Sequence, residues 1–227
     1  MSLFTDRHHA GRVLAAALGK YSGQSDVLVL GLPRGGVPVA YEVAHQLAMP
    51  LDVLIVRKLG VAGHEELAMG ALASGGFYVL NQDVVDAFGI SKEEILRSAR
   101  AEQQELSRRQ DAYRGDRAPV DVSARTVLLV DDGLATGSTM RAAIQALRPQ
   151  HPKHIVAAAP VADADVCAQV AEEADEMVCA TMPQRLDAIG IWYDDFSPTS
   201  DDEVRGLLEA ASREQDERAR SSTSARA

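Results

Sequence analysis

Short runs of apolar residues alternate with helical periodicity along much of the chain. The runs DVLVLGLP and LDVLIVRK are separated by VPVAYEVAHQLA, in which apolar residues return with helical spacing. RTVLLVDD and HIVAAAPVA repeat this arrangement around STMRAAIQALR, and the short apolar run EMVCA comes later. Continuous apolar runs of this length are typical of strands that are buried on both faces of a parallel sheet. We therefore predict an α/β fold with a central, mainly parallel sheet flanked by helices.

The middle of the chain departs from this alternation. Residues 59–82 are rich in glycine and predict a mobile loop followed by a hairpin around Gly75 and Gly76. Ser91 and Glu94 have the spacing of a capping box, which predicts the start of a long charged helix. We expect these elements to form a helical and hairpin hood over about residues 77–120, on top of the sheet.

The predicted domain organisation is simple. A chain of 227 residues with 46% apolar composition is sufficient for one buried core, and we assign residues 1–211 to a single domain. Residues 7–20 have the apolar spacing of an amphipathic helix. From Ser212 onward the chain is polar and has no apolar period, so residues 212–227 are predicted to be a disordered tail.

Charge and cysteine content narrow the class of protein. A formal net charge of -10 argues against a nucleic-acid partner or a membrane partner, because either requires a basic surface. Cys167 and Cys179 form no CxxC pair and suggest small buried hydrophobes in a reducing compartment. The N-terminal sequence lacks the features of an export signal, and no window reaches the roughly 18 apolar residues of a membrane span. We expect a cytoplasmic protein.

The stretch VLLVDDGLATGST, residues 127–139, carries the most specific chemistry. Asp131 and Asp132 directly follow a buried strand, at the edge of the sheet where α/β folds bind ligands. Small and hydroxylated residues then lead into a helix, whose free N–H groups and dipole attract anions. The five residues of this candidate phosphate site are Ala135, Thr136, Gly137, Ser138 and Thr139. The alternative is an ordinary strand–turn–helix with solvent-exposed acids.

This stretch resembles the phosphoribosyl-pyrophosphate (PRPP) fingerprint of type I phosphoribosyltransferases, which has four apolar residues, two acids, a short spacer and Thr-Gly-x-Thr. The resemblance implies that Asp131 and Asp132 bind the ribose hydroxyls, together with Mg²⁺ held through the ribose or through water. It also implies that residues 135–139 bind the 5-phosphate. The similarity covers about residues 26–196 and extends to stand-alone bacterial phosphoribosyltransferase-domain proteins of unassigned substrate.

Two further segments carry the same resemblance. GLPRGGVPVA places Arg34, Gly35 and Gly36 after the first strand, where the family binds pyrophosphate through backbone N–H groups, often around an unusual peptide bond. Arg57 and Lys58 end the second strand, where the family's flexible loop contributes cations to the leaving group. A plain turn and a solvated basic pair are the alternatives for these two segments.

The acceptor is less well defined by the sequence. Trp192 and Tyr193 lie where the family frames its acceptor base, so either ring could stack on it, and core packing is the alternative. Hypoxanthine-guanine enzymes carry an acid at the position of Ala135, and its absence here argues against a 6-oxopurine acceptor and removes an obvious general base. His64 and Glu65 begin a partial HExxH pattern, but Ala68 stands where the second His is required.

The resemblance implies a Mg²⁺-dependent pentosyltransferase. Such an enzyme transfers the 5-phosphoribosyl group from PRPP to a nitrogen acceptor, a small molecule with a nucleobase-like ring, and releases pyrophosphate. The expected catalytic residues are Arg34, Lys58, Asp131 and Asp132, and the family's habit implies a homodimer. The alternatives are a non-catalytic regulatory protein that binds PRPP or a nucleotide, and an unrelated α/β sugar-phosphate hydrolase.

Overall fold

The structure is a computed structural model that describes residues 3–61, 64–74, 78–115 and 117–224. In chain order its elements are α1 (Arg7–Ala17), β1 (Val27–Gly31), α2 (Gly36–Leu47), β2 (Leu51–Val53), β3 (Val56–Val61), β4 (His64–Ala73), β5 (Tyr78–Leu80), α3 (Gln82–Phe88), α4 (Lys92–Arg114), β6 (Thr126–Val130), α5 (Ser138–Leu147), β7 (His154–Val161), α6 (Ala164–Glu173), β8 (Glu176–Thr181) and α7 (Asp201–Ser224).

Five of the strands form a parallel sheet in the order β2-β1-β6-β7-β8. Alternate residues of each strand face opposite sides of this sheet. Val130 packs in a cluster with residues of α1 and α2, whereas Leu129 packs with residues of α5 and α6. Helices therefore cover both faces, which explains why the strands are continuously apolar and confirms the predicted α/β class.

The register of the sheet determines where the loops emerge. Gly31 is the last residue of β1 and pairs with Val130, the last residue of β6. Because the two strands are parallel, the segments that follow them leave the sheet side by side at its carboxyl edge. The loop at residues 32–35 and the acid pair are thus neighbours, although about a hundred residues separate them in the chain.

A second sheet replaces the mobile loop that the glycine content predicted. β3, β4 and β5 form a three-stranded antiparallel sheet, in which Lys58 pairs with Ala71. Leu59 and Met69 are buried in one cluster with Leu106 of α4. The glycines of this segment favour a loop, but its buried apolar positions hold it as strands. The pairing of β4 with β5 confirms the predicted hairpin, while Gly75 and Gly76 lie outside the described residues.

The long charged helix is α4, and it begins as predicted. Ser91 accepts a hydrogen bond from the backbone N–H of Glu94, whose carboxylate accepts one from the Ser91 N–H. The helix packs on the second sheet and on α7, and it buries Tyr113 at its end. The second sheet, α3 and α4 form one layer that begins at Val56, earlier than the expected hood.

The C-terminal segment differs from the predicted disorder, since α7 continues to Ser224. Glu214 accepts a hydrogen bond from the Tyr41 hydroxyl at 2.7 Å and contacts the ring of His45. Arg218 donates to the backbone oxygen of His45. These polar contacts with α2 hold the part of α7 from Ser212 onward, which has no apolar stripe to reveal it. No helix in the described parts of the chain is long and apolar enough to cross a membrane.

Candidate active site

The acid pair lies against the loop that follows β1. A Cβ atom added at Gly36 would lie 2.7 Å from the backbone oxygen of Val130, and one added at Gly35 would overlap the carboxylate of Asp132. The absence of side chains at these two positions therefore lets the loop and the acids touch. The peptide bond between Pro33 and Arg34 in this loop is cis, which agrees with the unusual peptide bond that the resemblance implies.

The surroundings of Asp131 disfavour its charged form. Burial, followed by the adjacent charge of Asp132, raises the pKa of Asp131 well above its ordinary value. One of its oxygens accepts a hydrogen bond from the backbone N–H of Asp132 at 2.9 Å. Among the described residues no cationic side chain forms an ion pair with Asp131, so its carboxyl group is not committed to a cation of the protein.

Asp132 has a cationic partner that the sequence did not suggest. The Nε of Arg7, at the start of α1, donates to its carboxylate at 2.8 Å. Arg7 also donates to the backbone oxygen of Ser197 at 2.7 Å, and its guanidinium lies 3.9 Å from the centre of the Phe196 ring. Burial raises the pKa of Asp132, and the contact with Arg7 opposes that shift.

Tyr193 supports the acids from behind instead of facing a ligand. Its hydroxyl donates to the backbone oxygen of Asp132 at 2.6 Å, and its ring packs between Phe4 and Phe196. The residue is only 5% exposed, so its ring is not available to stack on an acceptor, and the expected acceptor role does not fit this position. Trp192 packs against the same aromatic cluster, as in the core-packing alternative.

Residues 135–139, here called the hydroxyl loop, lead into α5 and include its first two residues. Gly137 has φ +65°, a left-handed conformation that favours glycine, and is the N-cap of the helix. The hydroxyls of Thr136 and Ser138 lie 3.1 Å apart. The helix start thus presents free backbone N–H groups together with hydroxyl donors.

The acid pair and the hydroxyl loop line one pocket of about 180 Å³. The pocket is lined by residues 131–140 and by Ile189. Ile189 lies close to Gly133, since a Cβ atom added at Gly133 would be 2.6 Å from the Ile189 side chain. Residues that carry carboxylates and hydroxyls therefore line one small polar space at the start of a helix.

The three predicted cationic side chains have different surroundings in the structure. The ammonium of Lys58 donates to the hydroxyl of Ser138 at 3.2 Å, so β3 brings it to the rim of the hydroxyl loop. Arg57, its neighbour, instead pairs with Glu102 of α4 at 2.6 Å. Arg34 is 48% exposed and lies 3.8 Å from Asp201, so it projects from the loop after β1 with only a weak ion pair.

The sequence patterns missed Arg7, Ile189 and the supporting role of Tyr193. Arg7 lies 125 positions before Asp132, and a single arginine on an amphipathic helix carries no local signal of its partner. Ile189 begins a short 3₁₀-helix after β8, Ile189–Trp192, and gives no periodic signal. The fold and the pocket together define an α/β protein with a polar ligand site at the carboxyl edge of a parallel sheet.

Comparison with known proteins agrees with this class. The sequence matches the phosphoribosyl transferase domain family over residues 5–189. Two proteins of Mycobacterium tuberculosis, from strains CDC 1551 and H37Rv, each carry the name "Putative phosphoribosyl transferase" and are 46% identical over 214 residues. The match covers 94% of this chain and 48% of each relative, so the chain spans about half the length of these relatives.

A solved structure is also similar. The crystal structure of TT1426 from Thermus thermophilus superposes with a TM-score of 0.84 at 39% identity, covering 92% of this chain and 98% of that one. The chain therefore belongs to the phosphoribosyl transferase domain family.

Proposed function

We propose that this chain transfers the 5-phosphoribosyl group from PRPP to a nitrogen acceptor on a nucleobase-like ring and releases pyrophosphate. The observation that carries the proposal is the single pocket of about 180 Å³ shared by the acid pair and the hydroxyl loop. A pentose 5-phosphate presents a diol and a phosphate on one small ring. The acids accept hydrogen bonds from the diol while the loop binds the phosphate.

The hydroxyl loop supplies the phosphate contacts. The residues at the start of α5 line the pocket, and the helix dipole favours a negative charge at that end. Thr136, Ser138 and Thr139 add hydroxyl donors. Lys58, 3.2 Å from the Ser138 hydroxyl, brings a positive charge to the same end. Both ends of the donor are thus held before the reaction begins.

The leaving pyrophosphate lies, in this proposal, against the loop after β1. Gly35 and Gly36 let a polyphosphate approach the backbone, and Arg34 and Lys58 offset its charge. Breaking the bond from C1 of the ribose to pyrophosphate leaves an oxocarbenium-like sugar and adds negative charge to the leaving group. Cations placed in advance at the leaving group lower the barrier without reorganising.

The residues present fit a magnesium ion that arrives with the donor. The described residues contain no group of three or more His, Cys, Asp or Glu side chains that could hold a metal by themselves. Mg²⁺ commonly uses one or two carboxylates together with substrate phosphates and water. We assign Asp131 and Asp132 to this task, through the ribose hydroxyls or water. When bound, Mg²⁺ neutralises charge on the departing pyrophosphate.

The acceptor side of the pocket is apolar. Ile189 lines it, whereas Tyr193 is committed to the backbone of Asp132. The exposed methyl group of Ala135 offers no general base. We therefore propose a planar acceptor that rests on Ile189 and whose attacking nitrogen does not depend on a protein carboxylate at residue 135.

The test is pyrophosphate release from PRPP and Mg²⁺ across a panel of nucleobases. Thermal melting with and without PRPP reports binding independently of turnover. Release with one acceptor, lost in Asp131→Asn and kept in the exposed control Asp83→Asn, supports the transferase. A raised Tm with PRPP but no release from any acceptor would replace transfer by the regulatory function. No change in Tm would remove both.

A further inference from the structure

The chain has two cysteines, and the fold brings them together. Cys167 lies on α6 and is buried, whereas Cys179 lies on β8 and is partly buried. Their Sγ atoms are 3.0 Å apart, although twelve positions separate them in the chain. The spacing in sequence is not that of a CxxC motif, so the pair is a product of how the helix packs on the strand.

The pair lies at the edge of the parallel sheet. β8 is an edge strand of the parallel sheet, and Cys179 is therefore not enclosed by a further strand. The other side of the pair lies close to the active site. Val166 precedes Cys167 in α6 and packs against Gly137. A Cβ atom added at Gly137 would lie 2.7 Å from the Val166 side chain.

The two thiols differ in acidity. Either thiol can donate in this contact, and with Cys179 as the donor the hydrogen bond lowers the pKa of Cys167. The same hydrogen bond, followed by burial, raises the pKa of Cys179. The thiolate is the reactive form of cysteine, so Cys167 is the nucleophile and Cys179 the thiol that can resolve its oxidised form.

We propose that Cys167 and Cys179 form a modification site at which a hydroperoxide converts the dithiol into an intramolecular disulfide. The Cys167 thiolate attacks hydrogen peroxide, the O–O bond breaks, and a sulfenic acid and hydroxide result. The sulfur of Cys179 then attacks the Cys167 sulfur, forming the S–S bond and breaking the S–O bond with loss of water. The hydroxide takes up the proton released when Cys167 ionised. Overall one peroxide is reduced to two waters and two thiols are oxidised to one disulfide.

The geometry requires little movement for this step. A disulfide bond is about 2.0 Å long, so the two sulfurs must approach by about 1 Å. A neighbouring thiol at this distance also captures the sulfenic acid before further oxidation. The inference is independent of the proposed phosphoribosyl transfer, because it uses neither the acid pair nor the hydroxyl loop.

The test treats the full-length chain with hydrogen peroxide and measures its intact mass and free thiols after denaturation. We expect a monomer lighter by two hydrogen atoms, with both thiols lost and both recovered with dithiothreitol. Because the chain has no other cysteine, this mass change assigns the bond without a variant. Two persistent free thiols, addition of oxygen to the cysteines, or disulfide-linked dimers would overturn the proposal.

A matched variant tests the order of the two steps. In Cys179→Ser the hydroxyl keeps a donor beside Cys167 but cannot resolve a sulfenic acid. Dimedone, which traps sulfenic acids, should therefore label peroxide-treated Cys179→Ser and leave the wild type unlabelled. Equal labelling of both proteins would contradict the role of Cys179 as the resolving thiol.

Discussion

Arg7 and Asp132 form an ion pair of 2.8 Å across 125 positions of the chain. The pair gives the two adjacent acids different environments, since Asp132 has a fixed cationic partner and Asp131 forms no ion pair within the described part of the chain. Arg7 is itself held by Ser197 and Phe196, so it is part of the folded frame. We infer that Asp131 makes the stronger contact with the donor, and that Arg7 fixes the position of Asp132 beside it.

The first prediction concerns the stability of the protein without ligand. Asp131→Asn should raise Tm by a few degrees at neutral pH, because the amide removes a buried charge while its oxygen still accepts from the Asp132 N–H. Differential scanning calorimetry measures the change. An unchanged or lower Tm would show that the Asp131 carboxylate is not penalised in the folded state.

The Asp131 carboxyl group should also make the stability of the protein depend on pH. The folded-state pKa of Asp131 is raised above the unfolded value of about 3.9. Its contribution to stability is therefore fully present below that unfolded value and is lost as pH rises through the folded pKa. The Tm difference between Asp131→Asn and wild type should grow with rising pH. A difference that does not vary with pH would contradict the shift.

A double-mutant cycle tests the ion pair. Arg7→Met should lower the free energy of unfolding by about 2 kcal/mol, because Asp132 keeps a nearly buried charge without its partner. Arg7→Lys should recover part of this loss. Arg7→Met combined with Asp132→Asn should cost less than the sum of the two single changes, as measured by urea denaturation. Strict additivity would show that the two side chains are not coupled.

Lys58 is predicted to act through its charge at the hydroxyl loop. Lys58→Gln should weaken PRPP binding by about tenfold and reduce the dependence of binding on salt. Lys92→Gln, at the exposed start of α4, is the matched control and should leave both unchanged. Titrations at two salt concentrations give both quantities. Equal effects of the two variants would indicate that only net charge matters.

Gly36 is predicted to be required for the contact between the two loops. In Gly36→Ala the new methyl group would press on backbone atoms of Val130 and Asp131, and the strain should cost about 2 kcal/mol of stability. Gly206→Ala on α7 meets nothing within 4 Å and should be neutral or slightly stabilising. Urea denaturation of the two variants makes the comparison. Similar stabilities would contradict the close approach.

The sheet and the pocket shared by the acid pair and the hydroxyl loop were predictable because their signals are local. A strand buried on both faces must be continuously apolar, as at residues 127–130, and the acids and hydroxyls that follow it are contiguous in sequence. The parallel pairing of β1 with β6 then places Gly35 beside Asp132. The cis bond at Pro33–Arg34 also lies where the resemblance places it.

The remaining features depend on contacts between distant segments. Arg7 reaches Asp132, Tyr193 reaches the Asp132 backbone, and Cys167 meets Cys179, yet no spacing in the chain reports any of these pairs. The second sheet and the end of α7 were missed for a related reason. In the second sheet, glycines obscured the pattern of apolar positions. The end of α7 is held by polar contacts and not by an apolar stripe.

The most direct test of the central claim is calorimetric titration of PRPP with Mg²⁺ into wild type, Asp131→Asn and the control Asp83→Asn. We predict that wild type and Asp83→Asn bind with equal affinity and that Asp131→Asn binds about a hundredfold more weakly, as expected for loss of a charged hydrogen-bond acceptor. Equal affinity in all three proteins would contradict the assignment of Asp131 to the donor.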